Sequence, residues 1–188
     1  MCRRVRSHTR NFTTRFTAML LILLSSCVVA MGQQENADQA REAVCQRVPC
    51  RPVTTVRLKV NNKEFFEMEF PKAPYVAEGF INVLAGEEIL VEFDDADGTL
   101  SNPHYVKTSA KPERTISFRL EQTDEGTVLR VKNPFTKSIM YDCAIQHYSE
   151  QRFRKTSILP VQAGLMSFEM WPYPVAQVVV SKVRYGQK

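Results

Sequence analysis

The chain has 188 residues, enough for one domain of usual size, with 25 Lys and Arg against 20 Asp and Glu. The positive balance sits before Gln33, where Arg3, Arg4, Arg6, Arg10 and Arg15 stand without an acid, leaving 20 basic and 20 acidic residues in the remainder. A uniform basic field of the kind nucleic-acid binding needs is therefore absent from residues 33–188, and no nucleic-acid partner is expected.

An apolar run follows the arginines, from Ala18 to Met31, broken only by Ser25 and Ser26. It is shorter than the roughly 20 residues a membrane-spanning helix needs. A basic segment, a short apolar run and small residues together predict a signal sequence over 1–32, with Ala30 and Gly32 at the −3 and −1 positions before a cleavage point. The implied destination is the periplasm or the exterior. Leu24-Ser25-Ser26-Cys27 also resembles the lipobox of bacterial lipoproteins, which implies a second route with a lipid on Cys27. Membrane contact is expected only through the signal sequence or that lipid.

Residues 33–52 read as a polar tether carrying Cys45 and Cys50. With Cys143 they are the thiols left after the signal. An oxidising compartment predicts one disulfide and one leftover thiol. Pro49 bends the short segment, which favours a Cys45–Cys50 bridge and leaves Cys143 reduced and buried. The rival is a long-range bridge from Cys143, which the chain-entropy argument alone would favour.

The β pattern begins after Pro52. Val56, Leu58 and Val60 alternate with Arg57 and Lys59, and Phe66, Met68 and Phe70 alternate with Glu67 and Glu69. A three-residue or a five-residue connection would pair them as a hairpin with opposite charges on its outer face. Phe80 to Leu84 and Glu88 to Phe93 flank a turn at Ala85-Gly86-Glu87. Asp94 to Tyr105 reads as a polar loop. Ile116 to Leu120 and Leu129 to Val131 flank a turn at Asp124-Glu125-Gly126, and Asn133-Pro134 punctuates. A long strand places Ile139, Tyr141, Cys143, Ile145 and His147 on one face. Thr156 to Val161 and Met166 to Met170 are shorter candidates. Val175 to Val183 suits a central strand covered on both faces.

Closely spaced strands with turn signals and no amphipathic helix predict an all-β domain over 53–188, an antiparallel β-sandwich of about eight or nine strands. Leu129-Arg130-Val131-Lys132-Asn133-Pro134-Phe135 and the strand after it are similar to a strand, turn and strand of the immunoglobulin-like sandwiches of bacterial envelope proteins. That resemblance implies an architecture and leaves function open.

Catalytic motifs are absent: there is no phosphate-cradling glycine loop and no Gly-x-Ser-x-Gly elbow. Cys143 and His147 lie about 13 Å apart on a regular strand, too far to share a proton. Asp94-Asp95-Ala96-Asp97-Gly98 suggests a calcium loop, but the EF-hand positions one and twelve would hold Phe93 and His104. Asn102-Pro103-His104 after a strand is similar to the cupredoxin pattern. That likeness implies His104, Cys143 and His147 as copper ligands with Met166 or Met170 axial. Trp171-Pro172-Tyr173-Pro174 holds two aromatics at a chain bend, a candidate binding surface at Trp171 and Tyr173 or a core plug, the plug being favoured. The leading expectation is a non-catalytic binding or structural module with no cofactor. It would meet an envelope protein partner through a sheet edge or the 171–174 bend, with a copper carrier as the alternative.

Overall fold

A computed structural model describes residues 38–61 and 63–186. The signal sequence expected over 1–32, its lipobox alternative at Cys27 and the first part of the tether lie outside the described residues. The chain divides into two units, Met1–Ala40 and Arg41–Lys188. The described part of the first, residues 38–40, is helical, and residues 41–45 are helical in the second. Among the described residues no helix is long and apolar enough to cross a membrane.

The second unit is an antiparallel β-sandwich, as the alternation predicts. Its strands are β1 (Cys50–Arg51), β2 (Thr54–Lys59), β3 (Phe65–Phe70), β4 (Ala73–Pro74), β5 (Val76–Ala77), β6 (Phe80–Leu84) and β7 (Glu88–Ala96). They continue as β8 (Thr99–Val106), β9 (Thr115–Thr123), β10 (Gly126–Lys132), β11 (Ile139–His147), β12 (Phe153–Thr156), β13 (Met166–Trp171) and β14 (Val175–Tyr185). Two five-stranded sheets, β13-β10-β9-β7-β8 and β12-β11-β14-β6-β5, form the layers, and β1-β4 and β2-β3 are two-stranded. The 14 strands among the described residues exceed the expected eight or nine, chiefly because β1, β4 and β5 are two-residue pieces with no readable period and β8 lies in the segment expected as a loop.

Alternating side chains from both layers meet in one core. Val91, Ile116, Phe118 and Leu129 come from the first sheet, and Ile81, Val83, Val178 and Val180 from the second. Full burial of one such side chain stabilises by about 1.5–3 kcal/mol. A second, smaller core lies beneath the β2–β3 hairpin, where Val56 and Leu58 meet Leu84 and Ala176. The start of β14 is thereby covered on both sides, Val175 entering the main core and Ala176 the smaller one. The hairpin takes the five-residue connection: Lys59 pairs with Phe65 and Arg57 with Glu67. Gln122 fastens it to β9, its amide accepting from Lys59 N at 2.8 Å and donating to Lys59 O at 2.7 Å.

Two sequence expectations need correction. Residues 94–105 are not a loop. β7 and β8 form a hairpin turning at Asp97-Gly98, both with positive φ, 52° and 72°, as a two-residue hairpin turn demands. Polar and exposed side chains on this ribbon hid its alternation. The strand expected at Thr156–Val161 instead ends at Thr156, and Val161 makes only an isolated bridge to Ile139. The edge strand actually used, Phe-Arg-Lys-Thr, is too polar to announce itself.

Candidate partner-binding edge

The N-terminal anchor comes first in the chain. Cys45 and Cys50 are disulfide-bonded with Cα atoms 5.5 Å apart, and Cys143 is free and buried. From Cys50 onward the segment expected as tether is part of the packed domain, because β1 pairs with β4. Arg51 is 2 % exposed. Its Nη2 donates to Asn82 O at 2.6 Å and pairs with Glu87 at 3.2 Å, and its guanidinium lies 4.8 Å from the Tyr75 ring centroid. Tyr75 stacks on Tyr105 of β8 at 4.0 Å. Burial lowers the Arg51 pKa and raises that of Glu87 above the ordinary carboxylate value, the second effect opposed by the Leu84 N–H and by Arg51. No periodicity announces this arginine: its signal is only adjacency to Cys50.

The ligands of the copper alternative are not brought together. His104 is exposed on β8, where its Nδ1 lies 3.0 Å from Asn102 O. Cys143 points from β11 into the core, and burial, with the Glu169 charge second, pushes its thiol up to about 12. His147 was expected on the same face. The register keeps it there, opposite the core residue Val175, with its ring against Tyr148 and Tyr173 and, despite the shared face, no contact to Cys143 or His104. Met166 and Met170 lie exposed on the other sheet. Among the described residues no three His, Cys, Asp or Glu side chains converge on a possible metal position.

The 171–174 bend separates its two aromatics. Trp171 is 6 % exposed and joins the main core, its Nε1 donating to Thr156 Oγ1 at 3.4 Å. It is thus a plug between the layers and offers no exposed binding surface. Tyr173 is half-buried. The bend is held by Thr127, whose Oγ1 donates to Tyr173 O and accepts from Val175 N, both at 3.0 Å. Gly126 lies beneath it at φ 147°, where an added Cβ would come 2.1 Å from Trp171 O. Beside Tyr173 a polar recess of about 420 Å³ lies against Asp124 and Lys59, which are ion-paired at 3.1 Å.

The sheet edges differ sharply. Unpaired edge backbone invites foreign strands, and proteins blunt it with short strands, prolines, bulges and charges. β5 has two residues. β8 carries Pro103 and Asn102 at φ 49°, opposite a register shift in β7. β12 has four residues, including Arg154 and Lys155. β13 has six, with no proline and no cation, and its outer face shows Met166, Phe168 and Met170 at 46, 59 and 58 % exposure. Only β10 is hydrogen-bonded to it in the sheet. The two-stranded β2–β3 ribbon alternates charges on its outer face.

Charge flanks this apolar stripe on both sides. On the outer face Arg130 reaches over Phe168, with 5.6 Å from guanidinium to ring centroid, and Lys132 pairs in register with Met166. On the inner side Glu169 is half-buried. Burial raises its pKa, opposed by the Leu159 N–H, which donates to it at 3.4 Å. Sequence reasoning singled out Met166 and Met170 for copper and missed Phe168. Strand position relative to the sheet edge, which one sequence does not reveal, makes these three a surface.

No family model matches this chain, and no curated protein or solved structure matches it.

Proposed function

We propose that this protein is an exported, non-catalytic binding module whose β13 edge accepts an extended segment of an envelope protein partner. The observation that carries the reading is the contrast among edges: β13 alone of the four edges of the two five-stranded sheets joins six residues free of proline, bulge and cation to an exposed apolar outer face. Strand addition supplies main-chain hydrogen bonds for affinity and alternate side chains for specificity. The partner segment has apolar residues at alternate positions, to lie beside Met166, Phe168 and Met170. A Lys or Arg on its other face answers Glu169.

A second copy of the chain fits the edge less well. β13 holds no Lys or Arg, so two copies paired edge to edge would leave each Glu169 without an opposite charge. Export is supported by the basic segment and short apolar run before Gln33. The likeness to immunoglobulin-like envelope sandwiches belongs to the same reading. The copper reading draws no support from the positions of its ligands.

Amide hydrogen exchange of the intact protein tests the edge. The probe is a synthetic ten-residue peptide of alternating Val and Thr with one central Lys. The peptide slows exchange at residues 166–171, and Phe168→Lys abolishes that protection. Absence of protection at β13, or equal protection at β8 and β12, contradicts the reading.

A further inference from the structure

The outer face of the β12-β11-β14-β6-β5 sheet carries a groove of about 700 Å³, within the range of about 300–1,000 Å³ typical of small-molecule sites. Its depth comes from side-chain size. In register, Ala144 lies beside Val179 and Asp142 beside Ser181, so small groups occupy the middle of the sheet. Half-exposed Phe80 of β6 and exposed Lys155 of β12 also line it.

β14 bends its own alternation to supply this groove. Val180 sits in the core, and the partly buried Val183 and Tyr185 pack against it. Strict alternation from Val180 would turn Lys182 and Arg184 inward. Instead the register shifts opposite Met140 and Asp142, and Lys182 adopts φ 51°. The extra residue lets Ser181, Lys182 and Arg184 all line the groove. A non-glycine residue at positive φ is strained, and such strain gathers at functional sites. Asp142 holds both cations: its Oδ2 accepts from Lys182 Nζ at 3.0 Å and its Oδ1 from Arg184 Nη1 at 3.5 Å. Each cation has further N–H groups, and with Lys155 the groove has three positive charges against one negative.

We propose that this groove binds a small amphipathic anion. A carboxylate or phosphate head would sit at Lys182 and Arg184, and an apolar body along Phe80, Val179 and Ala144, toward the end of the groove that Lys155 borders. Charge-assisted contacts fix the head, and apolar burial holds the body. The inference stands apart from the β13 edge, which lies in the other sheet.

Calorimetric titration of the intact protein tests it. The probes are dodecanoate and dodecyl phosphate below their micelle-forming concentrations, phosphatidylglycerol vesicles, and dodecanol as the neutral control. Saturable binding of an anionic probe is expected, at least tenfold weaker in both Lys182→Gly and Ala144→Trp, with no such binding of dodecanol. Lys182→Gly relieves the positive φ, so it melts no lower than the wild type, which separates lost charge from lost fold. Binding of the monomeric amphiphiles assigns the anion to a free molecule, and variant-sensitive binding of vesicles alone assigns it to a membrane head group. Heat that never saturates, equal affinity in wild type and variants, or equal affinity for dodecanol overturns the proposal.

Discussion

Arg51 is the least exposed charged side chain among the described residues. Removing one partner of a buried ion pair leaves the other unpaired in low dielectric, which costs about 3–5 kcal/mol, whereas replacing both can be nearly neutral. Arg51→Ala is therefore expected to lower stability by about 3 kcal/mol, and Arg51→Met with Glu87→Gln to recover most of it, read as denaturation midpoints. The pH dependence has a defined sign. Glu87 binds its proton more tightly folded than unfolded, so its contribution falls as pH rises above the ordinary value of 4.5. Glu87→Gln removes that slope, which the difference between wild-type and variant stability curves measures. Cys143 is legible from its place beside Tyr141 and Ile145 in an alternating strand, whereas Arg51 is not legible at all. Its thiol, raised to about 12 by burial, stays unlabelled by iodoacetamide at pH 8 in the folded protein and reacts once denatured. Labelling of the folded state at the unfolded rate would contradict its placement.

At the scale of elements, the disulfide and Arg51 together fasten the start of the β domain. The Cys45–Cys50 loop is short, and the chain-entropy model assigns it about 2 kcal/mol. Cys45→Ser with Cys50→Ser should lower the unfolding free energy by that amount, read from denaturant titration, and leave the far-ultraviolet spectrum β-dominated. A lost fold would mean that the bridge is needed to form the domain. Strands with clean alternation, such as 54–59 and 65–70, were legible because one face meets a core and the other water. β8 and β12 were not, because ribbon and edge positions relax the demand for apolar alternation. Lys182 departs from alternation for the opposite reason: a bulge redirects an otherwise regular strand.

For the whole molecule, the two-layer sandwich follows from apolar period two over most of the chain, and that pattern needs no knowledge of which strands are neighbours. The candidate surface needs that knowledge. Met166, Phe168 and Met170 read as one half-buried strand among several until the sheet order places them at an edge. Export is checked by intact mass of protein recovered from the cell envelope, with cleavage expected between Cys27 and Gln33. A full-length cytoplasmic species would contradict it, and a diacylated Cys27 would select the lipoprotein route. Partner choice by edge is tested most directly by photo-crosslinking in the host envelope. A photoreactive phenylalanine analogue is placed singly at Phe168 of β13, at His104 of β8 and at Phe153 of β12. One discrete protein adduct is expected at 168, suppressed by Met170→Glu in the same chain, and none at 104 or 153. No adduct at 168, or adducts of equal yield at all three edges, would contradict it.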